Sequence, residues 1–279
     1  MNHKVIIIEG IPGSGKTTFS NLIYNHLKEN NIKANLYNEG DLHPIDLAWC
    51  SIINEKDFEY LLNKYDKYSQ DIKKHTRKLD NEYITAYTKV RVDDSDIQFY
   101  KDYEKYEIYR TNNLDTFKNA HLKLWKRLEK SDDVYIFECI YLQNHINELI
   151  LKHNLSTNDI IKYMNELIDT IKDFNPIVFY LKPKDINHTI KNVADLRRSD
   201  NPLYKDWIDL VIEYFENTKY GKELGYIGYE GALKYFKDRV RIEEKVLESL
   251  SVSNYILDMD HNYDEVLEEI IKLLEKDEQ

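Results

Sequence analysis

The apolar run Val5-Ile6-Ile7-Ile8 is short, β-branched and unbroken, the pattern of a strand buried on both faces. After a glycine-rich stretch, Phe19, Leu22, Ile23, Tyr24 and Leu27 recur at helical spacing, and Asn30-Asn31 mark the stop. A second strand is predicted near Lys33 to Tyr37, leading into Asn38-Glu39-Gly40-Asp41. Strand, helix and strand in that order form a β-α-β unit, so the sheet they start is parallel. Val134 to Phe137, Ile177 to Leu181 and Tyr255 to Leu257 repeat the strand pattern, each ahead of a helix-compatible stretch. The fold class this implies is α/β, a doubly wound parallel five-stranded sheet with ligands at the carboxyl ends of its strands.

Two long pieces exceed that minimal core. Residues 42–132 are charged, Tyr-rich and mostly helical in pattern, notably from Lys56 to Lys78 and from Asp96 to Arg110. Residues 185–251 hold the second, with helical stretches around Trp207 to Phe215 and Leu233 to Leu250. Between those, Gly221, Gly225, Gly228 and Gly231 mark turns or a mobile segment. No repeat or low-complexity linker interrupts the chain, so residues 1–279 read as one domain with helical insertions.

Composition narrows the class. With 42% hydrophobic and 32% charged residues, the chain suits a soluble globular protein with a real core. Its net charge of -11 opposes nucleic acid and anionic membrane wherever no basic patch overrides it, and any anionic ligand needs a locally positive site. Two cysteines, Cys50 and Cys139, fit a reduced, cytoplasmic protein better than a disulfide-stapled one. The first apolar run is too short for a signal peptide, and no stretch approaches the roughly 20 apolar residues of a membrane span. The 23 tyrosines accompany many Lys, Asn and Ile residues, which makes them a compositional trait. No Cys/His spacing suggests zinc, and no G-x-S-x-G elbow or dinucleotide-binding glycine fingerprint competes.

The chemistry starts at Gly10-Ile11-Pro12-Gly13-Ser14-Gly15-Lys16-Thr17, which meets G-x-x-x-x-G-K-[ST] at every fixed position. Glycines let the backbone wrap closely, so that successive amides can point at phosphate oxygens. The helix beginning near Lys16 adds its N-terminal dipole. Lys16 is expected to reach the β- and γ-phosphates, and the Thr17 hydroxyl to ligand Mg²⁺. A buried-type strand before the motif and an amphipathic helix after it supply the setting such a loop requires. Asn63-Lys64-Tyr65-Asp66 matches a guanine-specificity motif, but it lies in a charged helical run with no D-x-x-G before it, and we read it as coincidence.

Ile8-Glu9-Gly10-Ile11-Pro12-Gly13-Ser14-Gly15-Lys16-Thr17-Thr18 resembles the opening of thymidylate kinases and deoxynucleoside kinases. The likeness extends to the order of later landmarks and covers about half the chain. It implies a P-loop kinase fold, with Gly10, Pro12, Gly13, Ser14, Gly15, Lys16, Thr17 and Thr18 at an ATP site and Mg²⁺ as cofactor. Glu138, ending the third strand, would orient Mg²⁺-bound water or accept a proton from the acceptor. That family usually has an arginine after this acid, and here Cys139-Ile140 follows. Glu39 and Asp41 end the second strand, the edge that faces the acceptor in such kinases, and the alternative is an ordinary glycine turn. Arg197 and Arg198 sit where those kinases carry a lid that neutralises the transferring phosphoryl group. Because adjacent helical residues point about 100° apart, only one faces the site. Asp195, three residues before Arg198, offers it a surface partner instead.

Five further residues carry weaker signals. His43 precedes a proline and reads as a plain loop histidine, and Arg77, Arg91 and Arg110 as scattered charge on solvated helices. Trp49 suits an acceptor-pocket wall or the core equally. The expected function is thus an ATP- and Mg²⁺-dependent kinase for a small hydroxyl- or phosphate-bearing acceptor. The alternatives are a P-loop ATPase or switch that binds a protein partner, and a catalytically dead nucleotide-binding module. Oligomeric state is left open, a homodimer included.

Overall fold

In the computed structural model, which describes residues 2–200, 205–259 and 262–276, the first strand is β1 (Val5–Gly10), buried along its whole length. It feeds α1 (Lys16–Glu29), whose Phe19, Ile23 and Leu27 are buried, and then β2 (Ala34–Tyr37). Next come β3 (Ser51–Asn54), α2 (Glu55–Lys64), α3 (Ser69–Lys74), β4 (Thr76–Leu79), β5 (Glu82–Thr85), α4 (Gln98–Glu104) and α5 (Leu114–Trp125). The chain continues as β6 (Val134–Glu138), α6 (Leu142–Leu151), α7 (Thr157–Asp169), β7 (Ile177–Lys182) and α8 (Ile186–Leu196). It finishes with α9 (Trp207–Asn217), α10 (Lys219–Leu224), α11 (Gly228–Glu248), β8 (Ser253–Asp258) and α12 (Tyr263–Lys276).

Two compact units result, one made of residues up to Leu36 with those from Lys130 onward, the other of Tyr37–Glu129. The first carries the five-stranded sheet, in the order β2-β6-β1-β7-β8. β1 pairs in parallel with β6, where Ile8 sits opposite Glu138, and with β7, where Gly10 sits opposite Leu181. β7 pairs in parallel with β8. The expected doubly wound parallel sheet is therefore what the chain builds. From β1 the connection runs to one side of the sheet and from β6 to the other. The carboxyl ends of these two neighbours thus form the switch point where such sheets bind ligands.

Strand alternation divides the core. Ile6, Ile8, Ile136, Ile177, Phe179 and Leu181 pack with Phe19, Ile23 and Leu27 of α1 and Val266, Ile270 and Leu274 of α12. The other face carries Tyr180, whose hydroxyl reaches Glu243 of α11. Edge strand β8 is only half-buried, with Ile256 exposed.

The Tyr37–Glu129 unit corrects one expectation. Residues 42–132 are not wholly helical: they include an antiparallel three-stranded sheet in the order β3-β5-β4. β4 and β5 form a hairpin across Asp80-Asn81, with Thr76 opposite Thr85 and Leu79 opposite Glu82. Four-residue strands are too short for alternation to stand out, and the turn relies on Asp80 at φ 54, a left-handed conformation that Asp tolerates through its short polar side chain. The core of this unit is aromatic, with Phe99 and Tyr103 at its centre beside Tyr65, Tyr68 and Tyr87. Many of the tyrosines are therefore structural.

The 185–251 stretch also differs from expectation, residues 201–204 lying outside those described. Gly225 does sit between helices, but Gly221 lies within α10, Gly228 opens α11 and Gly231 lies within it. A β-carbon on Gly221 would stand 2.0 Å from the Phe215 carbonyl oxygen, and one on Gly231 2.4 Å from the Tyr226 carbonyl carbon. Close backbone packing, rather than mobility, explains both. Among the described residues no helix is long and apolar enough to cross a membrane.

Ile270 is fully buried between α12 and the sheet. Ile270→Ala should lower unfolding stability by about 2–4 kcal/mol with little change in m-value, measured by urea denaturation.

Candidate functional site

At the end of β1 the chain must leave a fully buried strand and enter a helix within a few residues. Gly10 makes the first bend at φ 147, where a β-carbon would meet the Ser14 hydroxyl oxygen at 2.5 Å and the Leu181 carbonyl oxygen at 2.7 Å. Gly13 is needed for a different reason, since α8 passes directly over it. Its β-carbon would lie 3.2 Å from both Thr189 and Val193 side chains. The helix that follows opens on Gly15, with no side-chain cap and no acid in its first turn. By contrast, Asn54, Asn113, Ser156 and Asp185 cap their own helices. The first amides of α1 therefore have no side-chain acceptor and point, with the helix dipole, at the loop.

The polar groups around the loop agree with a phosphate ligand. Lys16 Nζ donates to the Gly10 and Ile11 carbonyls at 3.0 Å each and to Gln143 Oε1 at 3.4 Å. Ser14 Oγ is buried with no partner among the described residues, an orphan that a phosphate oxygen would satisfy. The Thr17 hydroxyl donates to Glu138 Oε1 at 2.6 Å. That bond joins the expected Mg²⁺ ligand to the acid ending β6, and two hard oxygens so placed suit a Mg²⁺ whose remaining ligands are waters and phosphates. Among the described residues no group of three His, Cys, Asp or Glu side chains could hold a metal alone.

Glu9 is the residue whose role the sequence concealed. It is fully buried within the strand. Its carboxyl accepts from the Tyr141 amide at 2.6 Å and the Gln143 amide at 3.2 Å, capping α6 from a different element. This places Gln143 against Lys16. Burial pushes the Glu9 carboxyl up from 4.5 to about 7, against the opposing pull of the Tyr141 amide and the Lys16 ammonium. In the sequence it shows only as an acid at the end of an otherwise apolar run.

The other predicted residues are placed as follows. Arg198 pairs with Asp195 at 2.5 Å on the surface, and Arg197 lies 5.2 Å above the Trp207 ring. The part of α8 that touches the loop is instead Thr189 and Val193. Glu39 and Asp41 belong to the Tyr37–Glu129 unit. Glu39 is exposed, whereas Asp41 accepts from the Asn38 amide at 2.9 Å and pairs with Lys89 at 3.1 Å. His43 is buried, its Nδ1 accepting from the Ile45 and Asp46 amides at 3.1 and 3.0 Å, and burial holds its pKa well below the ordinary value. Arg77 donates to the carbonyls of His43 and Pro44 at 3.0 and 2.9 Å, so it closes this turn. Arg110 pairs with Glu107 and Glu104, and the Arg91 amide, not its guanidinium, bonds Asp71. Trp49 is 51% exposed at φ 58, which removes it from the core. Lys64 and Tyr65 of the N-K-x-D look-alike are both tied to Asp102.

The raised Glu9 carboxyl has a defined pH consequence. The unfolded chain loses this proton near 4.5 and the folded protein near 7, so the group removes stability as pH rises through that window and is neutral to further change above it. Wild-type stability relative to Glu9→Gln should therefore fall by about 3 kcal/mol between pH 4.5 and pH 8. Urea denaturation at the two pH values measures it, and an unchanged difference between wild type and variant would contradict the assignment.

Among solved structures, the chain is similar to a thymidylate kinase from Ehrlichia chaffeensis, at 15% identity over 97% of both chains and a TM-score of 0.36. It is also similar to a deoxyadenosine kinase from M. mycoides with bound dATP, at 16% identity over 97% of this chain and 99% of that one, with a TM-score of 0.39. Likeness this remote decides nothing about chemistry. No curated protein matches the sequence. The family described as chromatin associated protein KTI12 matches residues 4–170, well over half of the chain and all of it from β1 through α7. With its P-loop fold and a complete phosphate loop at the switch point, the chain belongs to that family.

Proposed function

We propose that this protein binds ATP with Mg²⁺ and transfers the γ-phosphoryl group to a small hydroxyl- or phosphate-bearing acceptor. The observation that carries this reading is the 2.6 Å bond between Thr17 and Glu138. It unites the hydroxyl of the phosphate loop with a carboxylate from the neighbouring strand, beside Lys16 and the uncapped start of α1. Bound Mg²⁺ would neutralise charge on the transferring group. Thr17 and Glu138 hold that ion, the amides of residues 13 to 17 surround the β-phosphate, and Lys16 exchanges its carbonyl partners for phosphate oxygens. Glu138, Glu39 or Asp41 orients the acceptor. Arg197 or Arg198 approaches the transferring group after leaving its surface partner, at little cost because exposed pairs are weak. Within the Tyr37–Glu129 unit itself, Ile52, Tyr106, Glu107, Arg110 and Thr116 line a cavity of about 430 Å³. The net charge of -11 supports a small-molecule acceptor over nucleic acid or membrane.

A second reading has its own support. The family's description is chromatin association, and no arginine follows Glu138 to clamp an acceptor phosphate. Both favour a nucleotide-driven switch that hydrolyses ATP and binds a macromolecular partner.

Lys16→Ala should abolish binding of a fluorescent ATP analogue, and full retained affinity would reject the assignment of the loop. Glu138→Gln should leave nucleotide affinity within a few-fold while lowering turnover by about two orders of magnitude. ADP release measured with a metabolite panel separates the readings, since release without any acceptor would replace the kinase by the switch.

A further inference from the structure

Arg239, in the middle of α11, reaches the phosphate loop, and neither function proposed above uses it. It is 1% exposed. Nη2 donates to the Gly10 carbonyl oxygen at 3.4 Å and Nη1 to Asn147 Oδ1 at 3.2 Å, while Nε lies 2.8 Å from Glu243 Oε1. Glu243 is fully buried, and its other oxygen accepts from the Tyr180 hydroxyl of β7 at 2.5 Å. Phe236 lies under the guanidinium, 5.6 Å from ring centre to carbon. Glu243 neutralises the arginine, as a desolvated cation requires, and partners on three sides leave the planar fork one orientation.

The Gly10 carbonyl thus has two cationic donors, Arg239 at 3.4 Å and Lys16 at 3.0 Å. A phosphate ligand draws Lys16 away, and a buried carbonyl stripped of its donor is costly. We propose that Arg239 is a positioning residue for the phosphate loop, retaining the Gly10 peptide once Lys16 has moved to the phosphates and thereby tying the loop to α11. This rests on the nucleotide reading above. The arrangement stiffens the first bend of the loop in the state that matters. It also makes α11, which packs on α6, α7, α8 and α9, the element through which nucleotide occupancy is felt away from the site.

The test uses the full chain with two variants: Arg239→Lys, which keeps the charge opposite Glu243, and Arg239→Met with Glu243→Gln, which removes both charges and still gives Tyr180 an acceptor. Leu167→Ala, a truncation in the core of α7, controls for general loss of stability. Both Arg239 variants should raise the Kd for an ATP analogue with Mg²⁺ about tenfold and speed amide exchange across residues 10–17 several-fold in the saturated protein. Leu167→Ala should change neither beyond twofold. Folded Arg239 variants with wild-type Kd and exchange would overturn the proposal, as would a matching loss in Leu167→Ala. A ligand-free arm keeps the two readings apart: in a Lys16→Met background, which vacates the Gly10 carbonyl without nucleotide, adding Arg239→Lys should speed exchange of the loop further. Faster exchange there supports the loop-holding role even if wild type binds no nucleotide, an outcome that removes only the functional reading. Unchanged exchange there refutes the role itself.

Discussion

A strand buried on both faces cannot stop without finding partners for its last polar groups, and at the carboxyl end of β1 two residues meet that demand. Glu9 turns to one side and accepts the first amides of α6. Gly10 turns the chain into the phosphate loop, its carbonyl held by Lys16 and Arg239. Gln143 at the start of α6 then meets Lys16, while Glu138, opposite Ile8 in the parallel register, meets Thr17. The site is thus a consequence of how the central strand ends. Shifting β1 or β6 by one residue would reverse the face of every side chain involved.

The same constraint reconciles a chain of net charge -11 with a site for anions. Positive potential is built locally, from Lys16 and the uncapped amides of α1, and the nearby carboxylates are occupied. Glu9 is protonated more readily than an ordinary carboxyl because burial penalises its charge, and Glu243 is spent on Arg239. Buried acids that take up protons readily or pair with cations leave the field near the loop to the lysine and the backbone.

Legibility differed between residues for physical reasons. The phosphate loop could be read because it needs particular residue types at fixed short spacing. The acid at Glu138 could be read because it ends an apolar run. The hairpin at Asp80-Asn81 was hidden, since each strand spans only four residues and its pairing is antiparallel within a unit that otherwise shows helical periodicity. Arg197 and Arg198 drew attention through their position in the chain, whereas the arginine at the loop is Arg239, more than two hundred residues after Gly10. Nothing local distinguishes Arg239 from other arginines on charged helices. Glu9 follows directly on an apolar run, yet its partners lie on a different element.

By itself, then, the sequence determined the α/β class, the strand run, the phosphate loop and the acid beside it, because strand burial and phosphate wrapping are written in contiguous residues. Only the tertiary structure decided which helix end Glu9 caps, which arginine holds Gly10, that α8 crosses the loop at Gly13, and that Tyr37–Glu129 closes around its own aromatic core. Those are pairings between distant segments. They are set by sheet order and helix packing, to which a single chain read in order carries no local clue.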